Sequence, residues 1–107
     1  MKIIKYHKLV RDRIPGIIEE SGKCCITSVL PDSDYIEMLD KKLEEELAEY
    51  QQSKSMEELA DLLEVIRAVA RARGSSMEEV EKIRKEKAIL RGGFKKQILL
   101  LEVQSEE

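Results

Sequence analysis

From Ile36 to Ala70 apolar residues recur at steps of three and four, with a single interruption. Ile36, Leu39, Leu43, Leu47 and Tyr50 form one stripe; Met56, Leu59, Leu62, Leu63, Ile66, Val69 and Ala70 form a second, with Val65 at its margin. That spacing belongs to one face of an α-helix. The polar break Gln51–Ser55 between the stripes is short enough to make the two helices antiparallel neighbours. The expected fold is therefore all-α and built on an antiparallel helix hairpin. One helix runs from about Tyr35 to Gln52; the next is capped by Ser55, runs to about Arg73 and is closed by Gly74. The second stripe is too broad for a surface helix. A second chain is expected to cover part of it, as a homodimer or higher homo-oligomer completing a four-helix-bundle-like arrangement.

The remaining elements are shorter. Pro15 can open a short helix through Ile17, Ile18 and Glu20, stopped by Gly22. Pro31-Asp32-Ser33-Asp34 is turn chemistry that supplies a helix cap. Ser76 caps a third long helix through Val80, Ile83 and Lys87 to Leu90, ended by Gly92-Gly93. Cys24 to Leu30 and Ile98 to Val103 are apolar, and the first is also β-branched and bounded by Gly22 and Pro31. Both read as short strands, expected to form a minor two-stranded β ribbon (residues 24–30 and 98–103). No long linker or low-complexity tract interrupts the 107 residues, so residues 1–107 are expected to be a single domain.

Composition excludes several classes. Charged residues make up 38% and aromatics 4%, a helix-favouring profile. A net charge of −3 and a pI of about 5.4 give no electrostatic case for nucleic acid. No apolar run is long enough for a membrane span, and Met1–Lys5 has neither the apolar core nor the cleavage site of a secretory signal. Cys24 and Cys25 are adjacent, which matches neither a zinc site nor a disulfide framework, so the plain expectation is a reducing, cytoplasmic setting.

The acids are less ordinary. Glu-rich helices usually present solvated faces, and Glu58 has a second job available, closing a capping box with Ser55. Helical phase points elsewhere. At ~100° per residue, Glu46 lies ~60° from the centre of the first apolar stripe, taken between Leu39 and Leu43, with Glu49 on the same flank and Glu45 turned away. On the next helix Glu58 falls between Leu62 and Val65, and Asp61 between Ala68 and Ala72. Folding the chain about Ser53-Lys54 sets Glu49 level with Glu58 and Glu46 level with Asp61. Two carboxylates ~4 Å apart repel by roughly 4 kcal/mol at an effective dielectric near 20, so such a group needs shared protons or a cation. The one histidine, His7, is remote in sequence, and an oxygen-only ligand set suits Mg²⁺ or Mn²⁺ better than Zn²⁺ or iron.

The pattern Glu45-Glu46-x-x-Glu49 followed by Glu58-x-x-Asp61 resembles the EExxE…ExxD signature of the MazG-like all-α nucleoside triphosphate pyrophosphohydrolases, which include phosphoribosyl-ATP pyrophosphohydrolase relatives. Lys8-Leu9-Val10-Arg11-Asp12-Arg13-Ile14-Pro15 and Arg84-x-x-Lys87-x-x-x-Arg91-Gly92-Gly93-Phe94 resemble the small house-cleaning branch of that superfamily. The resemblance implies Mg²⁺-dependent hydrolysis of a nucleoside triphosphate between its α- and β-phosphates, giving the monophosphate and pyrophosphate. It also implies that Glu46, Glu49, Glu58 and Asp61 bind metal, and that Glu45 and Glu46 are catalytic. Glu45 either binds metal or orients the attacking water; its phase leaves a partner subunit or solvent as further readings.

A triphosphate needs cations besides the metal. The candidates are Lys8, Arg11 and Arg13 in the N-terminal segment and Arg84, Lys87 and Arg91 on the last helix, where Lys87 and Arg91 share a face. Each is also readable as a surface charge. Phe94 is more readily a core residue than a base-stacking one. The alternatives to an enzyme are a non-catalytic helical interaction module and a nucleotide-binding regulator.

Overall fold

The computed structural model describes residues 1–106. Its helices in chain order are α1 (Ile14–Glu20), α2 (Asp32–Ser53), α3 (Met56–Ala72) and α4 (Met77–Arg91). The chain divides into two units, Met1–Met77 and one that begins at Glu78.

The first unit is organised by the hairpin of α2 and α3, which pack on each other along their lengths. Pro31 sets the start of α2: it is extended, and its carbonyl accepts the Tyr35 N–H at 2.9 Å. Asp32 and Asp34 then stand in the first turn, where carboxylates complement the helix dipole. The helix thus begins three residues before the expected Tyr35, and no side chain caps it. It ends where Lys54 turns left-handed (φ 57°) and donates its N–H to Tyr50 at 2.7 Å. The Lys54 ammonium lies 5.6 Å from the Tyr50 ring centre, a cation–π contact that favours the turn.

The connection to α3 is tied by serines. The Ser55 hydroxyl accepts the Glu58 N–H at 3.3 Å, the expected N-cap. The reciprocal half of a capping box does not form, because the Ser55 N–H goes to the Ser53 hydroxyl at 3.2 Å. The Glu58 carboxylate is therefore not spent on its own helix end. At the other end of the hairpin Arg73 reaches Asp40 at 2.9 Å, and Gly74 (φ 84°) stops the chain from continuing as helix.

Around the hairpin, α1 begins at Ile14 with Pro15 in its first turn. The Cys25 thiol donates to the Pro15 carbonyl at 3.8 Å and draws the following segment back over that helix. The second unit consists of α4 and the residues after it. No α4 residue is buried, and Gly92 (φ 82°) closes the helix with its N–H on Ala88 at 2.8 Å.

The expected β ribbon is absent: no strand occurs among the described residues, and residues 24–30 and 98–103 have no ladder. Ile26, Val29 and all the apolar side chains of 98–103 stand exposed. A two-stranded ribbon is marginal in water unless one face is covered, and β-rich composition alone does not supply the cover.

The Ser55 cap gives a direct stability test. Ser55→Ala should cost about 1 kcal/mol, read as a lowered urea midpoint at unchanged m-value. Glu58→Ala should cost less, because the Glu58 carboxylate holds no backbone group; an equal or larger loss would restore the capping box.

Candidate metal centre

Among the described residues four are buried: Leu39, Val65, Ala70 and Glu46, the last 6% exposed. The half-buried and buried positions of α2 include Leu39, Lys42, Leu43, Glu46, Glu49 and Tyr50. At ~100° per residue that arc centres on Glu46. The true packing face is thus rotated ~60° from the centre of the leucine stripe, and Leu47 is left 45% exposed. An apolar count misplaces the face because its middle is occupied by a lysine and two glutamates.

Oxygens of Glu45, Glu46 and Glu49 lie within 4.8 Å of one another, and so do oxygens of Glu46, Glu58 and Asp61. Glu46 belongs to both groups, so it bridges a cluster along α2 and a cluster across the hairpin. The turn at Lys54 therefore sets the register that brings Glu46 and Asp61 together. Glu45, expected to point away, is half-buried and part of the cluster. The N-terminal segment accounts for the difference: it lies against that flank and gives Glu45 a partner in Lys8, at 3.1 Å.

Three cations attend the five carboxylates. Lys8 pairs with Glu45, Arg11 pairs with Asp61 at 2.7 Å, and Lys42 stands 3.4 Å from both Glu45 and Glu46. Two formal negative charges remain uncompensated. Lys42 was not among the residues singled out from the sequence, although its i,i+3 and i,i+4 spacing to Glu45 and Glu46 is the available signal. Of the other expected cations, Arg13 is the exposed residue before α1, and Arg84 forks onto Glu81 of its own helix at 2.7–3.0 Å. Lys87 and Arg91 are exposed on α4, and His7 and Phe94 are exposed.

The electrostatics divide the two adjacent glutamates. Burial, then the charge of Glu49, pushes the Glu46 carboxyl above the ordinary carboxylate value, against the pull of Lys42. Burial also works against ionisation at Glu45, but Lys8 and Lys42 outweigh it and hold that carboxyl below the ordinary value. The hydrogen bond to Glu45 in turn raises the Lys8 ammonium.

Two oxygens decide whether the donor set fits a cation. Glu46 Oε2 and Glu58 Oε2 are both buried and have no hydrogen-bond partner in the protein. A buried acceptor left unmet costs about 1–3 kcal/mol, more when charged. A hard divalent cation takes oxygen ligands and meets both. The residues present fit a hard divalent cation in either of two overlapping groups, Glu45, Glu46 and Glu49 or Glu46, Glu58 and Asp61.

Among known proteins, a 42-residue stretch of the chain (39% of its length) is 50% identical to an uncharacterized protein of Mycolicibacterium smegmatis and spans 43% of that relative. No family model matches the chain. No solved structure matches it either. No helix among the described residues is long and apolar enough to cross a membrane.

The raised Glu46 carboxyl has a stability consequence. Its folded-state pKa lies above the unfolded value, so its contribution is present below about 4.3 and is lost as pH rises through the folded value. Glu46→Gln should therefore stabilise the metal-free protein at pH near 7.5, by about 1–3 kcal/mol. The gain should shrink on acidification. Thermal melting in a chelator at two pH values reads this; a variant that melts lower than the parent at neutral pH would mean that Lys42 already meets the cost.

Proposed function

We propose that this chain is a Mg²⁺-dependent nucleoside triphosphate pyrophosphohydrolase, cleaving between the α- and β-phosphates to give the nucleoside monophosphate and pyrophosphate. The observation that carries the reading is the pair of buried, unpartnered oxygens on Glu46 and Glu58, set among Glu49 and Asp61 across one helix hairpin. Structural acids would have both oxygens solvated or paired, whereas Glu46 and Glu58 each keep one buried oxygen unmet. The three motifs in order along the chain support the same reading, and the buried face common to Glu46 and Glu58 gives it a physical basis.

When bound, the metal ion neutralises charge developing on the phosphates and lowers the pKa of a bound water. The protein's own groups divide the remaining work. Glu46, Glu49, Glu58 and Asp61 would hold the ion. Glu45, kept ionised by Lys8 and Lys42, is a poor store for a proton but a good hydrogen-bond acceptor, which suits it to orienting the attacking water. That water adds its oxygen to phosphorus, the bridging P–O bond breaks, and the pyrophosphate departs with that bridging oxygen. Lys8 and Arg11 are exposed and paired to acids at the edge of the cluster, where they can exchange a carboxylate for a phosphate. In this reading Arg13 is a further phosphate cation of the N-terminal segment.

Two measurements test the proposal. Millimolar Mg²⁺ should raise the melting temperature, by the equivalent of about 2.7 kcal/mol at a hundredfold excess over Kd; no shift would leave a helical module with merely solvated acids. Pyrophosphate release should be Mg²⁺-dependent on at least one canonical or damaged nucleotide. Glu49→Gln and Asp61→Asn should each abolish it while the protein still melts cooperatively. Turnover retained in both variants would remove these residues from the site.

A further inference from the structure

Of the cations at the cluster, Lys8 and Arg11 come from the N-terminal segment, whereas Lys42 belongs to α2 itself. Lys42 precedes Glu45 and Glu46 by one helical turn, and its Nζ stands 3.4 Å from Oε1 of each. Helix sterics favour the arrangement: side chains lean toward the helix N-terminus, so both glutamates bend back over the turn that carries Lys42. The Lys42 side chain is 19% exposed, against 45% for Lys8 and 60% for Arg11. Its stem is packed, and its ammonium is tied to the same helix as its partners. The exposed strap can lift away from the acids; Lys42 moves only with α2.

The two oxygens of Glu46 are thereby made unequal. Oε1 faces Lys42, while Oε2 is buried and has no hydrogen-bond partner in the protein. Which oxygens are free decides which ion a carboxylate suits. Ca²⁺ takes ~6–8 oxygens at ~2.3–2.6 Å and commonly grips a carboxylate by both of its oxygens. Mg²⁺ demands near-octahedral ligands at ~2.0–2.1 Å, and the two oxygens of one carboxylate lie too close together to fill two of those positions.

We propose that Lys42 is a positioning residue that sets the ion preference of the site: by engaging Oε1 of Glu46 it leaves Oε2 alone for the ion, which suits Mg²⁺ and denies Ca²⁺ a second oxygen. The inference rests on the divalent-cation reading of the cluster and not on the reaction catalysed. It separates position from charge. Removing a positive charge strengthens the binding of every divalent ion alike. Releasing an oxygen strengthens Ca²⁺ binding more than Mg²⁺ binding.

Calorimetric titration of the chelator-treated, nucleotide-free protein with MgCl₂ and with CaCl₂ tests it, on the parent, Lys42→Met and Lys42→Arg. Methionine keeps an unbranched stem and drops the charge; arginine keeps the charge and can fork onto the same oxygens. Removing a group that orients metal ligands typically changes affinity by ~10–100-fold. Lys42→Met should therefore raise the ratio of Ca²⁺ to Mg²⁺ affinity by about tenfold or more, and Lys42→Arg should keep the parent's ratio. If Lys42→Met does not melt cooperatively, Lys42→Gln, with a neutral head and a shorter reach, is titrated in its place. Equal changes for the two ions, at an unchanged ratio, overturn the inference and reduce Lys42 to a charge or a brace. A ratio that shifts as far in Lys42→Arg as in Lys42→Met overturns it as well. Binding of neither ion by the parent removes the cation site itself, and this inference with it, so the two failures are told apart.

Discussion

Glu46 occupies the middle of the face by which α2 meets α3, where a hairpin of this size would ordinarily carry a leucine. A buried leucine there would contribute about 1.5–3 kcal/mol. The glutamate instead brings a charge out of water with one oxygen unmet and Lys42 at 3.4 Å on the other. The cations nearby offset that charge, and the acids nearby add to it. Lys42 lies along the same helix, Glu58 and Asp61 converge from the facing one, and the N-terminal segment crosses with Lys8 and Arg11. The hairpin gives up part of its core so that several oxygens can address one point.

The connection between the helices makes this arrangement possible. Lys54 in the left-handed region and the Ser53–Ser55 pair reverse the chain in two residues, which leaves no slack in register. The same serines decide what Glu58 does. Had the Ser55 N–H lacked the Ser53 hydroxyl, the Glu58 carboxylate would have been the natural acceptor and one carboxylate would have been lost from the cluster.

Much of this was legible in the sequence. Periodicity locates α2, α3 and α4 to within a few residues, and folding the chain about Ser53-Lys54 brings Glu46 level with Asp61. Three things were not legible, each for a physical reason. The packing face of α2 lies off the leucine stripe because hydrophobicity marks a core only where the core is hydrophobic, and here Lys42 and Glu46 stand in it. Glu45 was read as outward because helical phase describes one helix and contains nothing of the N-terminal strap laid beside it. The ribbon of residues 24–30 and 98–103 was overestimated because strand propensity reports a side chain's fit to a half-buried surface, and neither segment has one.

The strap formed by Lys8 and Arg11 carries a thermodynamic consequence of its own. Both ion pairs are solvent-exposed, hence individually weak and easily exchanged. An anion that draws either cation away leaves Glu45 or Asp61 more negative, and so a better host for a divalent ion. A divalent ion on those carboxylates equally frees Lys8 and Arg11 for an anion. Linkage requires the two effects to be equal. If the hairpin takes a divalent ion and a phosphate as proposed, these counter-ions would make the two ligands help each other without a change of fold, and salt that competes for the strap would weaken that mutual help from both directions.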